Sequence, residues 1–409
     1  MSPLLALPTA AIEVDSGSFF AIVTVAAIAA ITVAAVPKRF APPVVVIELV
    51  MGILIGPEIL GLAHSDDFVE FFSNLGLGML FFFAGYEIDF QRIKGAPLRL
   101  GAFGWLLSVV LAYGLGGILA AAGVIVSFLY TGSAMATTAI GTLIPILRDN
   151  GELKTRFGTH LLAAGGAGEF GPILLVTLVL STTNPFREAA ILLAFVALAL
   201  VLALASVRYA WRGWPALERT FEASSQLAVR VTVVLVFGLV LLAGTLGLDI
   251  LLGGFVAGMI TRLALKGHEL QVFESKLTAV GFGFFVPFFF VTSGIEFNLA
   301  ALGSAEAIAK LFLFLGLFLV VRGVPAMLLY RSVLSVRDRA ALAFYSATEL
   351  PLVVAITTIA TDQGHMKTST AAGLVGAAML STLIYPFVGM ALRQRSRGEA
   401  PSDAAVATA

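Results

Sequence analysis

The chain of 409 residues has no cysteine and few charged side chains. Without cysteine, neither disulfide bonds nor thiolate metal sites can form, which excludes disulfide-stabilised secreted domains. Asp, Glu, Lys and Arg make up 12% of the residues, about half of the ~25% typical of soluble domains. Hydrophobic residues make up 59% and recur in long runs. This composition predicts a protein with many membrane-spanning segments.

About 13 of the apolar segments have the length of a membrane-spanning helix. They lack the period-two alternation of a membrane β-barrel, so we expect an all-α polytopic membrane protein. The predicted spans are 18–36, 42–62, 69–88, 97–119, 122–146, 158–181, 187–208, 227–247, 249–263, 280–300, 307–330, 338–361 and 368–392.

Basic residues are distributed unevenly between alternate loops. Four of the 25 Lys and Arg residues fall outside one set of loops: Arg187, Lys310, Lys367 and, within a span, Arg322. Because basic loops remain cytoplasmic, we expect the N-terminus outside and the C-terminus inside the cell (inner) membrane. The polar residues 393–409 are predicted to form a short disordered cytoplasmic tail.

Two parts of the chain resemble each other. FFFAGYEIDF (81–90) aligns without a gap to FFFVTSGIEF (288–297). The similarity extends to five-helix units at about 42–181 and 249–392, joined by linker helices at 187–247. An odd number of spans separates matching helices, so the two copies have opposite orientations. Inverted repeats of this kind are typical of secondary transporters.

The sequence GAGEFG (166–171) fits the G-x-G-x-x-G pattern of nucleotide-binding loops. That reading needs a preceding strand and a βαβ unit, and the surrounding apolar sequence supplies neither. We interpret the glycines as a surface where another helix approaches closely.

Three ionisable residues, Glu169, Arg322 and Glu349, are predicted at similar depth in the membrane. Each costs at least ~2.5 kcal/mol to insert, so a function is the default hypothesis. Arg322 is always charged and needs a partner, for which Glu349 or Glu169 can serve. The other carboxylate could then exchange a proton for a monovalent cation. The alternative is a static salt-bridge network; Glu48, nearer the cytoplasm, fits such a structural role.

Two spans have the composition of interrupted helices. SAMATTAIGTLIP (133–145) is rich in Ser, Thr and Gly, and SATELPLVVAITT (346–358) contains Pro351. Irregular backbone within the membrane is tolerated beside protein or a water-filled cavity. The hydroxyls of Thr137, Thr138 and, less directly, Ser133 could bind a desolvated cation together with freed carbonyls. Ordinary packing of small residues is the alternative.

Together with FFFAGYEIDF, the stretches PPVVVIELVMGILIGPEILGL (42–62) and FFVPFFFVTSGIEFNL (284–299) resemble the membrane domain of monovalent cation/proton antiporters. The resemblance is to the CPA2 branch, which includes Kef-type and bacterial Na⁺/H⁺ exchangers. It implies a homodimer whose protomer has a core subdomain (about 97–181 and 307–392) and a dimerisation subdomain from the remaining helices. It also implies that the fifth and twelfth spans are crossed broken helices, and that the core moves like an elevator.

The resemblance also implies roles for individual residues. The family's essential carboxylate corresponds to Glu169, and a basic residue before the second broken helix corresponds to Arg322. Family members usually carry Asp preceded by Asp, Asn or Gln, whereas this chain has Gly168–Glu169. One carboxylate favours electroneutral exchange of one H⁺ for one Na⁺ or K⁺. The expected partners are these ions and membrane lipid, with no cofactor, no nucleic acid and no enzymatic activity.

Other functions remain open at this point. A symporter of an organic anion would need a roomier polar cavity and an unpaired Arg322. A channel would conduct cations without proton coupling. A non-transporting sensor and an intramembrane enzyme are further alternatives.

Overall fold

The computed structural model describes most of the chain as helices joined by turns. It covers residues 15–36, 42–87, 93–153, 155–179, parts of 190–205, 226–246, 250–264 and 268–399. Among these residues, seven helical segments are long and apolar enough to cross a membrane, and four shorter apolar helices accompany them. The described part is therefore all-α and polytopic, as predicted. The count of 13 stays a prediction, because the predicted span 187–208 is only partly described.

The helices before the predicted linker are α1 (Ser16–Ala35), α2 (Val44–Ile55), α3 (Asp67–Glu87), α4 (Ala96–Ala121), α5 (Phe128–Met135), α6 (Ile140–Asp149) and α7 (Arg156–Val179). Those that follow are α8 (Leu227–Thr245), α9 (Ile250–Ala264), α10 (His268–Val280), α11 (Val286–Ile295), α12 (Ala305–Leu329), α13 (Val336–Ser346), α14 (Pro351–Asp362) and α15 (Thr368–Glu399). A π-helical turn, Gly281–Phe285, joins α10 to α11, and a single turn, Leu299–Leu302, precedes α12.

The described residues form two compact units, of which the first contains those up to Gly76 together with Phe282–Phe297. Three phenylalanine rings from different helices, Phe19, Phe72 and Phe288, pack at its centre with centroids 5.0–5.5 Å apart. Tilted and edge-on ring pairs of this kind stabilise a core beyond the area they bury.

In the same unit, α2 and α11 approach backbone to backbone because each carries a glycine at the contact. A Cβ on Gly52 would overlap the carbonyl oxygen of Val291, and a Cβ on Gly294 would overlap that of Leu49. Glycine at such positions allows membrane helices to pack closely. Gly294 belongs to the repeated motif, so this motif forms a helix contact.

The second unit contains the remaining described residues, from Leu77 to Gly281 and from Asn298 onward. Its core includes Leu143 of α6, Leu161 of α7 and Tyr345 of α13, all fully buried. The second half of α3 packs against α9 in the same glycine-mediated way: a Cβ on Gly258 would overlap the Phe82 carbonyl. The predicted division into core and dimerisation subdomains stays a prediction.

The last helix is longer than the sequence indicated. α15 continues to Glu399, so the start of the disordered tail predicted at residue 393 is too early. The physical reason is Arg393, whose guanidinium lies 3.0 Å from Glu152 and 2.9 Å from Asp338. It also stacks over the Phe157 ring, 4.8 Å from the centroid. These contacts hold the helix beyond the apolar segment.

The α2–α11 contact predicts a destabilised variant. We expect Gly294→Ala to lower the free energy of unfolding by about 1–3 kcal/mol, because the added methyl group forces two tightly packed backbones apart. Thermal unfolding of the purified protein in detergent, with size-exclusion chromatography as the readout of the remaining folded protein, measures the loss of stability.

Gly117→Ala on α4 is the matched control, since a Cβ there would have no heavy atom within 4 Å. It should unfold at the wild-type temperature or slightly above, because Ala favours helix over Gly. Equal melting temperatures for the two variants would contradict the packing described for α2 and α11.

Candidate functional site

The fifth and twelfth predicted spans are both interrupted in the structure. α5 ends at Met135 and α6 begins at Ile140, while α13 ends at Ser346 and α14 begins at Pro351. Pro351, which has no N–H, is the first residue of α14. At this position the missing N–H costs nothing, because the first N–H groups of a helix have no acceptor within the helix. The stretches rich in Ser, Thr and Gly or containing proline therefore mark real breaks.

The two breaks hydrogen-bond to each other and to α7. The N–H of Ala139 donates to the carbonyl of Thr348 at 2.8 Å, and the N–H of Thr138 donates to the carbonyl of Gly168 at 3.0 Å. A buried N–H without a partner would cost several kcal/mol, roughly 2–7. These bonds therefore fix both breaks beside the middle of α7, where Glu169 lies.

Glu169 is buried on α7, with 4% of its surface exposed. The backbone N–H of Gly141, in the first turn of α6, lies within hydrogen-bonding reach of its carboxyl group. The N-terminus of a helix carries partial positive charge and attracts anions. Among the described residues, no partner is found for Oε2 of Glu169, so this oxygen can take a proton or a cation.

Arg322 of α12 is buried and bonded to four neutral oxygen atoms. Its Nε donates to Oγ1 of Thr138 at 3.0 Å and to the carbonyl of Ser346 at 3.3 Å. Nη1 donates to the Ser108 hydroxyl at 3.1 Å, and Nη2 to the Ala164 carbonyl at 3.2 Å. Among the described residues, no carboxylate lies within the 4.0 Å ion-pair distance of the guanidinium.

Glu349 lies in the second break and is fully buried. Its electrostatic partner is Arg322, and Thr137 is a polar neighbour. The Thr137 hydroxyl nevertheless donates to the Ala134 carbonyl at 3.0 Å, and neither carboxylate oxygen of Glu349 has a hydrogen-bond partner among the described residues. Of the two acids predicted as partners of Arg322, Glu349 is near enough to interact with it electrostatically, but among the described residues neither acid forms an ion pair with it.

The structure brings five of the seven predicted site residues together in the second unit: Glu169, Thr137, Thr138, Arg322 and Glu349. The Thr138 hydroxyl is already occupied, because it donates to the Ser346 carbonyl at 2.6 Å and accepts from Arg322.

The other two predicted residues have no bond to this cluster among the described contacts. Ser133, on α5, is paired with the Tyr113 hydroxyl at 3.0 Å. Glu48 belongs to α2 of the first unit, where it is buried.

Sequence reasoning missed three polar residues around the cluster, Ser108, Ser381 and Thr382. The Ser381 hydroxyl accepts from the N–H of Glu349 at 3.0 Å, and the Thr382 hydroxyl donates to the Glu349 carbonyl at 3.1 Å. Ser108 accepts from Arg322. Ser108 therefore helps to hold Arg322 in place, and Ser381 and Thr382 hold Glu349. Their buried hydroxyls within apolar spans are the signal that could have identified them.

Thr138 provides a prediction about how the breaks are held. We expect Thr138→Val, which keeps the shape but removes the hydroxyl, to lower the free energy of unfolding by about 1–3 kcal/mol. The reason is that Arg322 loses a bond and the Ser346 carbonyl loses a donor. Thermal unfolding in detergent measures the change.

Thr357→Val is the control for this prediction. Thr357 is equally buried, but its hydroxyl bonds within its own helix, to the carbonyls of Val353 and Val354. A Thr138→Val variant no less stable than Thr357→Val would show that the Thr138 hydroxyl does not fasten the breaks.

Comparison with known proteins identifies relatives over most of the chain. Residues 23–392 match the family model described as "Sodium/hydrogen exchanger, transmembrane". The Na⁺/H⁺-K⁺ antiporter GerN of Bacillus cereus is 27% identical over 277 residues, which are 65% of this chain and 68% of GerN. Cation/H⁺ antiporter 18 of Arabidopsis thaliana is 27% identical over 389 residues, which are 87% of this chain and 46% of that protein.

A solved structure has a similar fold. The sodium proton antiporter MjNhaP1 of Methanocaldococcus jannaschii, at pH 8, superimposes with a TM-score of 0.60 and 16% identity. The match covers 93% of this chain and 98% of that one. Because the identity is low, this likeness establishes the fold alone.

Proposed function

The chain belongs to the sodium/hydrogen exchanger family, and on this premise we propose that it exchanges Na⁺ or K⁺ for H⁺ at Glu169. It is a multi-pass membrane transporter and not an enzyme. The observation that carries the proposal is a buried carboxylate with one unpartnered oxygen, placed beside two helix breaks and against the N-terminus of α6. Such a group binds either a proton or a desolvated monovalent cation.

The charges in the cluster support a stoichiometry of one proton per cation. In this scheme Glu349 is taken to be ionised, and it balances the fixed charge of Arg322, its electrostatic neighbour. Of the described cluster, Glu169 is then left as the group whose charge a bound ion must neutralise. The loaded site is neutral with either H⁺ or the metal ion, so exchange between the two forms moves no net charge.

The same reasoning explains why transport of the two ions is coupled. With Glu169 ionised and empty, the site carries a net negative charge, which is costly to move through an apolar barrier. Only the two neutral, loaded forms cross readily, so each cation that leaves one side is exchanged for a proton from the other. In this proposal the two breaks cross each other within the inverted repeats. The part of the protein that contains them moves like an elevator and carries the loaded site from one side of the membrane to the other.

The remaining coordination comes from groups near Glu169. Thr137 keeps lone pairs free, because its hydroxyl acts as a donor to Ala134, and carbonyls at the breaks add further oxygen ligands. The Thr138 hydroxyl is held by Arg322 and Ser346, so it joins the cation shell only through rearrangement. The functional unit would be a homodimer in the inner membrane, with the N-terminus outside and the C-terminus cytoplasmic.

Glu169→Gln provides the test. The purified protein is placed in liposomes that contain a pH-sensitive dye and is challenged with Na⁺, K⁺, Li⁺ or Rb⁺, with and without clamped voltage. We expect wild-type proton movement that depends on the cation and not on voltage, and Glu169→Gln should reduce it to the level of empty liposomes. Glu169→Asp, which keeps the charge on a shorter side chain, should retain part of the activity.

Glu58→Gln, at an exposed position, is the control and should transport normally. Full activity of Glu169→Gln would rule out Glu169 as the exchanging group, and a rate that follows voltage would rule out one-for-one exchange. Steady cation flux without proton movement would indicate a channel. Uptake of an organic anion would indicate the symporter alternative, which the four bonds that already occupy Arg322 disfavour.

A further inference from the structure

Gly168 stands where the Arg322 side chain meets α7. A Cβ at this position would overlap Nη2 of Arg322 and would lie 2.8 Å from Oγ1 of Thr138 and 3.0 Å from Cζ of Arg322. A side chain on a helix leans toward the N-terminus and covers the preceding turn. The missing side chain at 168 therefore uncovers the carbonyl of Ala164, one turn earlier, to which Nη2 donates.

The guanidinium cannot simply move aside to make room for a larger residue. The end of a long side chain usually yields easily, but this one is held by bonds to Ser108 of α4, Ala164 of α7, Thr138 of the first break and Ser346 at the end of α13. Displacing it would break several charge-assisted hydrogen bonds at once, and each of these is stronger than a neutral one.

We infer that Gly168 and Arg322 form a size-matched pair. Because residue 168 has no side chain, the guanidinium fits against α7, and from there its bonds hold both breaks in place. Arg322 is then a positioning residue: it holds Thr138 and Ser346 in place and stays bonded away from the neighbouring Glu169. The transported cation consequently does not have to displace it. This inference deepens the proposed function and rests on it for its transport readout.

The pair predicts that the effects of changing Gly168 and Arg322 depend on each other. Gly168→Ala should reduce the maximal rate of cation/proton exchange by about 10²-fold, as ångström-scale misplacement of a site typically does. It should also raise the apparent KM for the cation, because the displaced guanidinium is free to compete at Glu169. Arg322→Lys keeps the charge but lacks the branch that the methyl group meets; it also loses bonds to the breaks, so it is impaired by itself. Gly168→Ala should therefore reduce the rate and raise the KM by clearly smaller factors in the Arg322→Lys background than in the wild-type protein.

Gly171→Ala is the matched control on the same helix. A Cβ there would overlap the Trp105 ring and not Arg322. Gly171→Ala should therefore change the rate and the KM by the same factors in the Arg322→Lys background as in the wild-type protein. Thermal unfolding provides a second measurement that does not require transport: the loss of stability from Gly168→Ala should be smaller in the Arg322→Lys background, and the loss from Gly171→Ala should be equal in both backgrounds.

The outcomes separate the two proposals. A wild-type protein that shows no cation-dependent proton movement contradicts the proposed function, while the unfolding measurements still test the pair. Wild-type exchange together with an unimpaired Gly168→Ala variant overturns the pair. So do equal losses of stability from Gly168→Ala in both backgrounds, or a Gly171→Ala effect that shrinks to the same degree in the Arg322→Lys background.

Discussion

A permanently charged guanidinium buried in an apolar unit must be stabilised by whatever dipoles surround it. Arg322 uses the carbonyl of Ser346, at the end of α13, and that of Ala164, with the hydroxyls of Thr138 and Ser108. The C-terminal end of a helix carries partial negative charge. The break after α13 and the buried cation therefore stabilise each other, since each would be costly at membrane depth without the other.

The break between α5 and α6 presents a helix N-terminus, which carries partial positive charge. The N-terminus of α6 is directed at Glu169 through the N–H of Gly141, so the acid and the base are each bound to the helix end that suits its charge. This separation explains why Arg322 and Glu169 form no salt bridge, although both are buried in the same unit. The carboxylate stays available because the guanidinium is satisfied elsewhere.

The sequence predicted the helical class, both breaks and the five residues that meet at them, because these depend on apolar length, on Ser, Thr and Pro within spans, and on isolated charges. It left open whether Arg322 binds Glu169 or Glu349, and it did not identify the actual hydrogen-bond acceptors. Two of these, Ala164 and Ser346, act through backbone carbonyls, which every residue possesses. Likewise, Gly168 was interpreted as helix-packing surface, but its immediate neighbour is a guanidinium.

Arg393 gives the two interrupted spans a second point of attachment. It binds Glu152, just after α6, and Asp338, in the first turn of α13, while Arg322 connects the same two spans at their breaks. Two objects joined at two separated points can rotate only about the line through those points. Sliding of one interrupted span along the other is thereby resisted, because it would stretch both attachments at once.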